Sequence, residues 1–181
     1  MFRFSALAVT AAVLAAAPAA AQDAAPAPAA RPYVGMSGGY HDILDNPFGK
    51  DGGAIGGVIA GVDLALSPEL ATGPVVGVEG NFHLGTGAID TEYGAAARIG
   101  YRFPSGGLAY VRAGYQWVNF DVNKVSGGIL GDDDFDDTDG DYLVGVGGEF
   151  GAAGGRTRFR VGVDTVSFDT LRPNVAVIVG F

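Results

Sequence analysis

Val175-Ala-Val-Ile-Val-Gly-Phe181 closes the chain with Val175, Val177, Val179 and Phe181 on every second position. A spacing of two puts these side chains on one face of a β-strand. The same spacing recurs at each step towards the N-terminus. Phe159, Val161 and Val163 alternate with Arg158, Arg160, Gly162 and Asp164. Tyr142, Val144, Val146, Gly148 and Phe150 alternate with Asp141, Leu143, Gly145, Gly147 and Glu149. Ala109, Val111, Ala113, Tyr115 and Trp117 alternate with Tyr110, Arg112, Gly114 and Gln116. Tyr93, Ala95, Ala97, Ile99, Tyr101 and Phe103 alternate with Glu92, Gly94, Ala96, Arg98, Gly100 and Arg102. Further back, Val76, Val78, Gly80, Phe82 and Leu84 oppose Gly77, Glu79, Asn81 and His83, and Val58, Ala60, Val62 and Leu64 oppose Ile59, Gly61 and Asp63. The first and weakest strand sets Val34, Met36, Gly38 and Tyr40 against Gly35, Ser37, Gly39 and His41.

These are eight strands with one face free of charge, although 17% of the chain is charged. A soluble barrel or sandwich would turn that apolar face inward. The other face decides against it. Asp63, Glu79, Glu92, Glu149 and Asp164 balance Arg98, Arg102, Arg112, Arg158 and Arg160, five against five, among many glycines. Matched charges and small residues suit a confined interior, where a buried charge needs a partner and arginine's fork suits carboxylates. The expected fold is therefore all-β, an eight-stranded antiparallel up-and-down transmembrane β-barrel.

Two girdles of aromatics fit the same reading. With strand one running upward, Tyr40, Phe82, Tyr93, Tyr115, Trp117 and Tyr142 fall near one rim, and Tyr101, Phe103, Phe150, Phe159 and Phe181 near the other. Such belts mark the two interfaces of a bilayer. Longer connections, Ile43–Gly53, Val122–Gly140 and Val166–Arg172, lie at one rim, and short ones such as Pro104–Gly107 and Ala152–Gly155 at the other.

All 31 glycines lie at or after Gly35, so the 181-residue chain divides at that point. Residues 1–21 read as a signal peptide: Arg3 supplies the positive charge, Ala6–Ala17 the apolar stretch, and Ala19-Ala-Ala21 the small-residue cleavage pattern. Residues 22–32 are an Ala/Pro-rich linker, expected to be extended. Residues 33–181 form the barrel domain. The absence of cysteine excludes disulfides and thiolate chemistry, and a net charge of −9 argues against a nucleic-acid partner.

Export, eight alternating strands and a terminal Phe181 preceded by Val179, Val177 and Val175 resemble the small outer-membrane β-barrel families. The opacity-protein (Opa-like) porins and the membrane domain of OmpA are the nearest. The resemblance implies a cell outer-membrane protein of a Gram-negative cell, in contact with outer-membrane lipid and lipopolysaccharide. It also implies that Val175, Val177, Val179 and Phe181 form an assembly signal read by the barrel assembly machinery. It implies no single activity.

Candidate chemistry is sparse. The chain has no phosphate-loop, H-E-x-x-H or G-x-S-x-G motif. His41 and His83 could act as general bases beside Ser37 and Glu79, as in a lipid-modifying barrel enzyme, but their register points them away from acyl chains. Asp137-Thr-Asp139-Gly-Asp141 resembles half a calcium loop within the acidic run 132–141, and a solvated surface loop is the favoured reading. The expectation is a non-enzymatic protein without cofactor, with a structural or surface-interaction (adhesin-like) role towards an unidentified surface ligand. A narrow porin is the alternative, and the salt-bridged interior favours a plug over a pore.

Overall fold

The computed structural model describes residues 30–43, 52–67, 72–86, 89–120, 137–152 and 155–181. The expected signal peptide, most of the linker, and the acidic run as far as Phe135 and Asp136 lie outside these residues. Eight antiparallel strands close on themselves in sequence order: β1 (Ala30–Ile43), β2 (Gly53–Ala65), β3 (Gly73–Gly85), β4 (Ile89–Arg102), β5 (Leu108–Phe120), β6 (Asp137–Phe150), β7 (Thr157–Val166) and β8 (Thr170–Gly180). Closure comes from β1 pairing with β8, Tyr33 opposite Gly180 and Gly38 opposite Val175. Every strand therefore has two hydrogen-bonded neighbours. This is the condition for crossing hydrocarbon, where an unpaired backbone amide finds no water. Strands of 10–14 residues are long enough for a tilted crossing.

The alternation sets the two faces as the sequence predicts. Val58, Val78, Ile99, Val111, Val146, Val161 and Val175 are exposed on the outside, and Asp63, Glu79, Arg98, Glu149 and Arg160 are buried in the lumen. A one-residue slip in any strand would reverse this and place charges in lipid.

Three boundaries differ from the sequence reading. β1 starts at Ala30, inside the expected linker, because Ala30, Arg31 and Pro32 continue the β1–β2 ladder opposite Leu64, Asp63 and Val62. The expected long connection Val166–Arg172 is a tight turn over Ser167–Asp169, with Thr170 onward already in β8. Ser167 and Phe168 both adopt positive φ in this three-residue turn (62° and 65°), and the Thr170 hydroxyl bonds Val166 N–H and C=O at 2.8 and 3.0 Å. Finally, residues 137–140, expected in the long connection Val122–Gly140, are already strand. With Asp141 they pair with Phe120 back to Gln116, so an extended ladder replaces the end of the expected surface loop.

Ala30, where β1 begins, and Phe181 lie at one rim, here the terminal end, with the last residues of β2, β4 and β6. The last residues of β1, β3, β5 and β7 lie at the far end.

Candidate functional site

The lumen gathers the charged side chains into two groups. One ladder row runs through both: Arg31, Asp63, Gly77, Arg98, Arg112, Gly145, Asp164 and Arg172 are successive partners around the barrel. The two glycines in that row matter for space. A Cβ on Gly77 would stand 2.6 Å from Asp63 Oδ1, and one on Gly145 would strike the Asp164 carboxylate. Arg98 therefore reaches across β3 to Asp63 (Nη2–Oδ1 2.6 Å, Nε–Oδ1 2.8 Å), and Arg112 reaches across β6 to Asp164 (Nε–Oδ1 2.8 Å, with Nη2 on Oδ2). The central layer is completed from neighbouring rows. Arg98 Nη1 bonds Glu149 Oε1 at 2.8 Å and Arg112 Nη1 bonds Glu79 Oε1 at 2.7 Å, while Arg160 bridges Glu79 and Glu149.

Two tyrosines pack this layer. Tyr33 Oη donates to Glu79 Oε2 at 2.7 Å and lies over Gly61, and Tyr110 lies over Gly147. The guanidinium groups of Arg98 and Arg160 each sit within 4.7–5.4 Å of both ring centroids, so cation–π attraction adds to the ion pairs. Their parity with Gly35 and with Arg112 places both rings in the lumen. The sequence reading assigned neither ring a role.

Glu92 stands apart from the other four acids. It meets Arg172 of β8, His41 Nδ1 at 3.0 Å and His83 Nδ1 at 3.1 Å, towards the far end. Arg172 is fully buried, yet the sequence reading had set it in a loop. His83 completes a Ser–His–Glu sequence of contacts, with Nε2 2.6 Å from Ser37 Oγ. Its acid is thus Glu92, in place of the expected Glu79, which belongs to the central layer. The other ring nitrogen of His83 meets further polar groups. Nδ1 faces the donors Asn81 Nδ2 at 3.2 Å and Arg172 Nη2 at 3.3 Å, and Glu92 Oε1 has no aligned hydrogen bond.

Arg112 pairs with Asp164 and Glu79. The space over the inward glycines is taken up at Gly61, Gly77, Gly145 and Gly147 by Tyr33, the Asp63–Arg98 pair, Asp164 and Tyr110. Apolar trios narrow the lumen beyond the charges: Ile55, Ile89 and Val118 towards the far end, and Val75, Leu108 and Tyr110 towards the terminal end.

Outside, the far-end aromatics form a connected belt. Tyr93 stacks on Trp117 at 5.5 Å, and Tyr115 packs edgewise on Trp117 and Tyr142 and donates to Gly140 O at 2.5 Å. Tyr40 and Phe82 are exposed on the same rim. At the terminal end Tyr101 and Phe103 meet edge to face at 5.5 Å, Phe150 opposes Phe159 across β6–β7, and Phe181 is exposed. Val175, Val177 and Val179 share the outer face of β8 with Pro173.

The profile of one sequence family, outer membrane protein beta-barrel domain, matches residues 7–179. No curated protein matches the sequence. Among solved structures, the N-terminal β-barrel domain of OprF from Pseudomonas aeruginosa superposes with a TM-score of 0.56 at 12% identity, covering 84% of this chain and 97% of that one. Neisserial surface protein A (NspA) gives 0.51 at 12% identity, with 84% and 97% covered. Ail, the attachment invasion locus protein of Yersinia pestis, gives 0.50 at 11%, with 83% and 95% covered. At such identities the likeness is one of fold.

Proposed function

For a chain that belongs to the outer membrane protein β-barrel domain family, we propose a structural, surface-presenting role: a closed barrel that holds its far-end connections at the cell surface and passes no solute through its lumen. The observation that carries this reading is the central layer, where Arg98, Arg160, Asp63, Glu79 and Glu149 fill the lumen as a buried, mutually paired plug. An ion would have to break several charge-assisted hydrogen bonds at once to pass. The terminal end faces the periplasm in this reading, reached after export and cleavage behind Ala21. The aromatic belts meet the two headgroup regions, and Val175, Val177, Val179 and Phe181 are presented to the barrel assembly machinery. Lipopolysaccharide and an as yet unidentified surface ligand are the partners of the far end. Ail is named for attachment, and an adhesin-like role of these connections is the finer form of the proposal.

The test is the refolded barrel in a planar bilayer, together with cells carrying shortened connections. The proposal expects no reproducible single-channel steps, and loss of surface binding in cells whose barrel level is unchanged. Regular steps would establish the porin alternative. A changed lipid A mass on expression would establish the enzyme.

A further inference from the structure

The charges of the central layer do not cancel at the terminal end. Among the described residues the layer joins four carboxylates, Asp63, Glu79, Glu149 and Asp164, to five guanidinium groups, Arg98, Arg102, Arg112, Arg158 and Arg160. The two that hang lowest are Arg102 of β4 and Arg158 of β7. Asp63 and Glu149 are bridged by Arg98, which takes Oδ1 of one and Oε1 of the other. Arg102 Nη2 approaches the remaining oxygen of Asp63 at 3.3 Å, and Arg158 Nε the remaining oxygen of Glu149 at 2.9 Å. The two arginines thus lie side by side beneath one bridge. Each shares its acid with a guanidinium that is better placed.

Both are more than nine-tenths buried. Even so, Arg102 Nε has no hydrogen-bond acceptor, and neither do Nε and Nη2 of Arg158, whose contact with Glu149 is close but not aligned. Nε and Nη2 form one edge of the guanidinium fork, the edge that grips a two-oxygen anion. Arg31 of β1 points into the same end, and it and Arg158 are near enough to repel Arg102. A buried, incompletely bonded cation is costly, and two beside a third are more so, unless an anion joins them.

We infer that Arg102 and Arg158, with Arg31 beside them, form an anion site at the terminal mouth of the lumen that takes a phosphate group. A tetrahedral phosphate offers enough oxygens for Arg158 Nη2 and for Arg102 Nε together, which a chloride cannot do. The same chemistry comes from two sources, inorganic phosphate in solution or the headgroup of a phospholipid in the adjoining leaflet. The site does not depend on whether the lumen conducts.

The experiment uses the full barrel refolded in a non-ionic detergent. Its unfolding midpoint is followed against inorganic phosphate, with chloride at equal ionic strength as the control. A second arm compares vesicles of phosphatidylcholine with vesicles containing phosphatidylglycerol. Phosphate is expected to raise the midpoint where chloride does not, and Arg102→Gln or Arg158→Gln should weaken the apparent phosphate affinity at least tenfold. A rise with phosphatidylglycerol alone would assign the site to lipid. Broadening of the ³¹P signal of phosphate by the wild-type barrel gives the same answer should either variant fail to fold. No response to phosphate or to phosphatidylglycerol, by midpoint or by ³¹P signal, would overturn the inference.

Discussion

The central layer and the far-end cluster hold charge in the same lumen by different means. In the central layer each main pair spans two strands across a glycine: Asp63 to Arg98 over Gly77, and Arg112 to Asp164 over Gly145. Arg98, Arg112 and Arg160 each reach two carboxylates, so removing one arm disturbs two acids. At the far end one carboxylate, Glu92, is surrounded by Arg172 and two histidines. Charge is densest where glycine makes room for an extended arginine. Where no such gap exists, the lumen relies on neutral polar groups and on Ile55, Ile89 and Val118.

If that distinction is right, the heaviest loss follows truncation in the central layer. Arg98→Ala leaves Asp63 and Glu149 each short of a buried partner and should cost about 3–5 kcal/mol, read as a fall in the urea midpoint of the refolded barrel. Arg172→Ala takes a buried cation from Glu92 but leaves the 3.0 Å contact with His41 in place. A smaller cost of about 1–3 kcal/mol is expected, and a loss equal to that of Arg98→Ala would erase the contrast between the two groups. Gln116 sharpens it from the other side. Its buried amide lies over Gly94 and neither its oxygen nor its nitrogen has a partner. Gln116→Leu should therefore stabilise the barrel by about 1 kcal/mol. A loss on that change would mean that the amide is satisfied in the folded protein.

Much of this was legible from residue order. A period of two assigns a face to each residue of the eight expected strands, so the outer aromatics and every interior charge of the central layer could be named before any pairing was known, while Arg172 was missed. Pairing is another matter, because it depends on stagger. Glu92 and Arg172 are 80 residues apart in sequence, and only the register that closes β8 on β1 brings them together. The turn at Ser167–Asp169 was hidden because its positive-φ positions hold serine and phenylalanine, where asparagine and glycine are the usual signal. Residues 137–140 read as part of a solvated surface loop because acidic composition masked their alternation. The ladder with β5 resolved it.

The account stands most directly on the claim that lumen charges are coupled in pairs across glycine. A double-mutant cycle on Asp63→Asn and Arg98→Gln measures it, with Asp63→Asn and Arg112→Gln as the comparison, since no ion pair links those two among the described residues. The first cycle should give a coupling of about 2 kcal/mol or more and the second within about 0.5 kcal/mol of zero. Equal couplings in both, or none in the first, would contradict it.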